Sequence, residues 1–305
     1  MRLTPAASVD PAMGRRYDTI SFLSDYGTDD EFVGVVKSVI RELAPDATVI
    51  DLTHGVAPFD VRAGSLALAR SISYVASGVV LAVVDPGVGT SRRGIAIEVA
   101  DGEGVLIGPD NGLLAPAVAM AGGAGRAVEL NNPAHRLHAA GATFDGRDVF
   151  APAAAALCNG VDLLELGDTV DADLLFPGVV PLPQVDDTTV IAQALWTDRF
   201  GNVQLNLGPD DLPAAFGEVV EVRCSSPTDP TGGTTRAARR VGAFADIASG
   251  AVGLVVDSNG MLALAMDQRS AADELGVADG DQVVITALDD EPGAPTTTRV
   301  DLTTR

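Results

Sequence analysis

TISFLSDYGTDDEFVGVVKSVIREL, residues Thr19–Leu43, sets the fold of the first half of the chain. The β-branched and aromatic run TISFLS predicts a strand over Thr19–Ser24, ended by the acidic turn DYGTDD (Asp25–Asp30). Phe32, Val36, Val39, Ile40 and Leu43 then recur at helical spacing on one face, with Pro45 just beyond, which predicts a helix over EFVGVVKSVIREL. A strand that passes through a turn into an amphipathic helix is the opening unit of an α/β layer.

The pattern continues outward. TVIDL (Thr48–Leu52) and GVVLAVVD (Gly78–Asp85) predict further buried strands, with a helix near Val61–Tyr74 between them. VLIGPDNGLL (Val105–Leu114) reads as a strand, a turn and a helix start. DVFAPAAAALCNG (Asp148–Gly160) reads as an alanine-rich helix with Pro152 in its first turn, where proline is tolerated. Residues 17–176 therefore predict an α/β N-terminal domain with a mostly parallel sheet. FPGVVPLPQVDD (Phe176–Asp187) has three prolines and no helical period, and predicts a linker over 177–188. Beyond it, TTVIAQALW, EVVEVRC, VGLVVD and QVVITAL are short runs punctuated by Gly, Pro and Asp. They predict a smaller all-β C-terminal domain, a barrel or sandwich, over 189–305. Residues 1–16 read as a flexible leader, and PTDPTGGTT (Pro227–Thr235) as a mobile loop.

Charge narrows the function. Forty-two acidic residues against 20 basic ones give a net charge of −22, a field that repels nucleic-acid phosphates and anionic membranes. Lys37 is the only lysine, a bias that a GC-rich genome or a salt-adapted surface would both produce. No run of about 18 uncharged apolar residues is present, so no membrane span is expected. The first sixteen residues lack a secretory apolar core, and the chain reads as cytoplasmic. Cys158 and Cys224 are too few and too distant for a disulfide framework or a zinc site; both are expected reduced, with Cys158 in a helix core. His54, His135 and His138 have no metal-ligand spacing, so no metal is expected.

Polar residues gather where strands end, the usual place for ligands in an open α/β sheet. Asp25 ends the first strand, Asp85 ends VVLAVVD before the turn PGVGTSRR, and PDNG (Pro109–Gly112) and TFDGRD (Thr143–Asp148) open further elements. TDRFGN (Thr197–Asn202) and DSNG (Asp257–Gly260) follow strands in the second half. Singly, each has a plain alternative. Asp25 reads equally as a helix cap or Asx turn, PGVG as a tight turn that lacks the end of a P-loop, and PDNG as an ordinary turn. Arg93 reads as a solvated surface charge, and His54 as a hydrogen-bonded structural residue rather than a base.

Taken together, the segments SDYGTDDEFVGVVKSVI, THGVAPFDV, VVDPGVGTSRR, GPDNGLL, TFDGRDVFAPAAA, TDRFGNVQLN and DSNGMLALA closely resemble, in one order, the S-adenosyl-L-methionine hydroxide adenosyltransferases, relatives of the fluorinase and chlorinase enzymes. The resemblance implies a homotrimer of two-domain subunits, with active sites between the N-terminal domain of one subunit and the C-terminal domain of the next. It implies that Asp25 holds the ribose hydroxyls, that Phe59 lines the ribose and C5′ region, and that Asn202 reads the adenine edge. Asp198 and Ser258, with Asp30, would hold the methionine end; Asn259 stands where the fluorinase has an arginine. Asn111, Phe200 and Met266 complete the implied substrate-binding set. The hydroxide-transferring branch uses an Asp–Arg–His set near C5′. Asp85 and Arg92 match its first two members, and Asp145 replaces the histidine of a segment usually written TFHGRD.

The chemistry this implies is hydrolysis of S-adenosyl-L-methionine to adenosine and methionine, with no cofactor. A sulfonium leaves as a neutral thioether and needs no general acid, so the site has only to hold water in line with C5′ and take its proton. Two unit charges about 4 Å apart repel by roughly 4 kcal/mol at an effective dielectric of 20, so Asp85 and Asp145 disfavour a halide nucleophile. The alternatives are a 5′-halogenating transferase on the same scaffold and a non-catalytic binder of S-adenosyl-L-methionine or adenosine. Methyl transfer is disfavoured by the lack of a glycine-rich strand–turn–helix with an acidic residue at the next strand end.

Overall fold

The computed structural model describes residues 17–226 and 233–288. The expected leader and most of the expected mobile loop lie outside the described residues. The last two residues of that loop stretch, Thr234 and Thr235, instead begin a strand. The chain divides into two compact units between Val180 and Pro181.

In the first unit, β1 (Thr19–Ser24), α1 (Phe32–Leu43), β2 (Thr48–Thr53), α2 (Val61–Ile72) and β3 (Gly78–Val83) follow in turn. Then come β4 (Gly94–Val99), β5 (Gly104–Pro109), α3 (Ala115–Met120), β6 (Ala127–Glu129) and α4 (Ala151–Cys158). The sheet order is β2-β1-β3-β5-β4-β6. β2, β1, β3 and β5 run parallel, while β4 is antiparallel to both β5 and β6. Side chains alternate across the sheet, so Val79, Leu81 and Val83 of β3 pack in the cluster that includes Ile40 and Ala154 from α1 and α4. Val80, Ala82 and Val84 pack on the opposite face with Leu68 and Ala117 from α2 and α3. Burial on both faces is why β3 reads as an unbroken apolar run.

Two strands differ from expectation. β2 is the sheet's edge, with Ile50 43% exposed, and is not the buried strand that TVIDL suggests. β4 has no α-helix between it and β5; the chain turns back through a single 3-10 turn, Ala100–Gly102, so the strand–helix alternation carries no sign of it. The alanine-rich helix is preceded by one π-helical turn, Gly146–Phe150, and Asn159 at its end donates to Leu43 O at 2.8 Å.

The second unit contains β7 (Gln184–Val185), β8 (Thr189–Thr197), β9 (Val203–Leu205), β10 (Val219–Ser225), β11 (Thr234–Arg240), β12 (Val252–Val256), β13 (Leu262–Met266), a short helix α5 (Ala271–Leu275) and β14 (Gln282–Ala287). The sheet runs β14-β10-β11-β12-β13-β9-β8, and β14 also pairs with β8, so seven strands close into a barrel with β7 outside it. β11 and β12 run parallel. Val190, Leu205, Val222, Leu254, Leu264 and Ile285 fill the interior. Closure removes every free edge of the ring. Among the described residues, the short α5 departs from the expected all-β character; Ser270 caps it, accepting from Asp273 N at 3.0 Å.

Among the described residues, no helix is long and apolar enough to cross a membrane, and no group of three or more His, Cys, Asp or Glu could hold a metal ion.

Candidate active site

β1 lies between β2 and β3, so the chain leaves it in one direction and later returns on its other side. Ligands collect at such a switch point, outside the carboxyl ends of the strands. Asp25 and Asp85 follow the ends of β1 and β3, and the backbone N–H of Asp25 donates to Val83 O at 3.2 Å.

The loop after β3 folds back so that Arg92 faces Asp85. Arg92 Nε donates to Asp85 Oδ1 at 3.0 Å, and Nη2 donates to Asp85 Oδ2. The same Nη2 donates to Asp145 Oδ2 at 2.6 Å. Side chains of Asp85, Arg92 and Asp145 are 6%, 9% and 18% exposed, so two carboxylates share one guanidinium with little help from water. The Phe150 ring backs the guanidinium, its centroid 5.5 Å from the guanidinium carbon. Asp85 titrates above the ordinary carboxylate range, first because burial disfavours its charge. Arg92 opposes that shift and the Asp145 carboxylate adds to it.

Asp25 does not cap α1, whose N-cap is Glu31. Its Oδ2 accepts from Phe59 N at 2.9 Å instead, across to the β2–α2 loop. Phe59 has a left-handed backbone (φ 68°) and a ring 72% exposed, a strained and unpacked aromatic of the kind that marks functional loops. Asp30 is exposed on the turn before α1. Asn111 is spent on the scaffold, donating to Val84 O at 2.9 Å and accepting from Leu113 N at 3.1 Å. Arg93 is not the solvated charge expected: it pairs with Asp110 and donates to Leu174 O at 2.7 Å, while Asp110 accepts from Phe176 N at 2.7 Å.

Tyr26 was not singled out from the sequence, though it lies inside the DYG turn. Its hydroxyl occupies the space beside Gly146, where an added Cβ would fall 2.2 Å from Tyr26 Oη, so the glycine of TFDGRD admits the phenol. Burial, then the carboxylates of Asp25, Asp85 and Asp145, push its titration well above the ordinary tyrosine value, and it stays a neutral phenol.

In the barrel unit the expected residues fall on two strand-connecting turns. Between β8 and β9, Asp198 accepts from Phe200 N (2.8 Å), Asn202 N (2.9 Å) and Asn202 Nδ2 (2.8 Å). The turn leaves the Phe200 ring 73% exposed and needs Gly201 at φ 84°. Between β12 and β13, Asp257 accepts from Asn259 N (2.8 Å), Met261 N (3.0 Å) and Gln204 Nε2 (2.5 Å), presenting Ser258 and Asn259 to solvent. Met266 is 4% exposed and belongs to the barrel's apolar interior. Asp85, Arg92, Asp145, Asp25 and Phe59 thus share one strand-end region, while Asp198, Asn202, Ser258 and Asn259, with the exposed Phe200 ring, lie on the barrel's own turns.

Comparison with known proteins finds two family models, described as the SAM hydroxide adenosyltransferase N-terminal and C-terminal domains, matching residues 20–167 and 192–284. The chain is 44% identical over 272 residues to a protein of Salinispora tropica named (R)-S-adenosyl-L-methionine hydrolase, covering 88% of this chain and 97% of that one. It is 26% identical over 295 residues to a fluorinase of an Actinoplanes species, covering 88% and 97%. Among solved structures, an uncharacterized conserved protein of Thermotoga maritima superposes with a TM-score of 0.78 at 35% identity, covering 88% of this chain and 99% of that one.

Proposed function

The chain belongs to the SAM hydroxide adenosyltransferase family, and from this premise we infer that it hydrolyses S-adenosyl-L-methionine, water attacking C5′ to give adenosine and L-methionine. The observation that carries the mechanism is the pair of carboxylates sharing Arg92. A bond forms between the water oxygen and C5′, the C5′–S bond breaks, and its electron pair neutralises the sulfonium. The remaining need is a base. Asp85 takes the water proton, Arg92 keeps Asp85 ionised and in place, and Asp145 is the second acceptor. Asp25 receives the ribose hydroxyls beside Phe59. The turns carrying Asp198, Asn202 and Ser258 hold adenine and the methionine end. We place these two sets together by assembly, the barrel of one subunit serving the N-terminal domain of the next in a cytoplasmic homotrimer. The chemistry calls for no cofactor, because the leaving group already carries the activating charge.

Turnover of the (R)-sulfonium form, the one named for the Salinispora relative, in ¹⁸O-water should place one label in the 5′-hydroxyl of adenosine, with or without chloride. Unlabelled adenosine or a 5′-halogenated product sinks the hydrolytic reading. Asp145→His tests the second acceptor. A histidine near pKa ~6.5 against ~3.9 for aspartate should move the acid limb of the rate profile upward and raise turnover at neutral pH. An unmoved limb removes Asp145 from proton handling.

A further inference from the structure

The end of β1 is held by polar side chains that the reaction does not touch. Ser24 has no exposed surface, and its Oγ lies 2.8 Å from His54 Nδ1. The same Oγ accepts from Tyr26 N at 3.3 Å. His54 Nε2 stands 3.2 Å from Asp51 Oδ1, and Lys37 Nζ donates to Asp51 Oδ2 at 2.9 Å. Ser24 Oγ and His54 Nδ1 share one hydrogen bond, while the buried Nε2 faces Asp51 without completing a second. The His54 carbonyl in turn accepts from Gly27 N at 2.8 Å. The imidazole packs edge-on against Phe22, ring centroids 4.7 Å apart.

The order Ser–His–Asp is that of a hydrolase triad, yet a serine with no exposed surface, already accepting a backbone N–H, cannot reach a substrate. What the bonds do reach is the turn around Asp25. Residues 24, 26 and 27 are all tied to His54, directly or through Ser24 Oγ. Five residues beyond His54 on the same loop, Phe59 N donates to Asp25 Oδ2. The histidine therefore stands where the Asp25 turn and the Phe59 loop are fastened together.

We propose that His54 is a positioning residue for the reaction, fixing Asp25 and Phe59 in the arrangement that receives the ribose. This rests on reading Asp25 as the ribose ligand. His54 touches neither water nor C5′, so it acts on binding and leaves the chemical step alone.

The test compares His54→Ala, His54→Asn and Ser24→Ala by steady-state hydrolysis of (R)-S-adenosyl-L-methionine and by calorimetric binding of adenosine. Removing the ring should raise KM and the adenosine Kd by about tenfold or more, with kcat within about threefold of wild type. His54→Asn, whose amide can meet Ser24 Oγ as Nδ1 does, should recover most of the affinity. A lower melting temperature with unchanged Kd, or a kcat loss at constant KM, overturns the proposal. Should His54→Ala fail to fold, Ser24→Ala decides: it removes only the hydroxyl, and wild-type adenosine affinity there is equally fatal. Asp25→Ala run alongside separates the two readings, because wild-type adenosine binding in that variant refutes the ribose role itself.

Discussion

Asp85→Asn is expected to lower kcat by about 10²–10⁴-fold, the usual worth of a positioned base, while adenosine binds with unchanged affinity. The variant keeps the side chain's volume, and Arg92 retains Asp145 as a partner at 2.6 Å, so the site should not collapse. Stability gives a second readout of opposite sign. The native carboxyl of Asp85 titrates above the ordinary carboxylate range, through burial first and Asp145 as well, with Arg92 opposing. A carboxyl that holds its proton more tightly when folded stabilises the fold fully below the unfolded value, and that contribution is lost as pH rises through the native one. At neutral pH the ionised group therefore works against folding. The asparagine variant should melt at a higher temperature than wild type at pH 7, an advantage that disappears below about pH 3.8. Undiminished kcat would remove Asp85 from the mechanism, and a lower melting temperature at neutral pH would contradict the account of its burial.

Arg92→Met should do more damage to the fold. It leaves two mostly buried carboxylates facing each other without their shared cation. Breaking a buried pair by removing one partner costs about 3–5 kcal/mol, because a desolvated charge is left unmatched. The protein can lessen that cost by protonating Asp85, which disables it as a base. Turnover at neutral pH should fall sharply and recover in part as pH is raised, with the acid limb displaced upward from the wild-type position. A melting temperature and a pH profile both like those of the wild type would show that Arg92 braces neither carboxylate. Arg92→Lys is expected to rescue only in part, since one ammonium cannot reproduce the fork that spans both acids.

The strands that carry the site were legible because they are buried on both faces: β1 and β3 stand out as apolar runs whose ends are marked by Asp25 and Asp85. β2 was found but misjudged, since apolar content alone does not tell an edge strand from a central one. β4 escaped notice because the alternation of strand and helix breaks there. In the site, the grouping of Asp85, Arg92 and Asp145 needed the resemblance: Arg92 lies seven residues from Asp85 across a glycine turn and 53 from Asp145, and no local pattern joins the three. Arg93 was misread for a related reason. Its partners, Asp110 and the carbonyl of Leu174, are 17 and 81 residues away, and no local pattern predicts such contacts. Tyr26 was missed because its signal is a vacancy on another element: only the missing side chain at Gly146 makes room for its hydroxyl.

Counting the staves of the C-terminal ring gives a rule about its wiring. A closed ring with an odd number of members cannot alternate up and down all the way round; one neighbouring couple must point the same way, and here it is β11 and β12. Such a couple cannot be joined by a hairpin, so residues 241–251 have to climb back along the outside, where Val241, Ile247 and Ala251 pack against Val255, Ala263 and Ala265. That return path is a topological necessity. Shortening it to a tight turn would force the wall to gain or lose a stave, whereas β7, outside the circuit, could be trimmed with the circle intact.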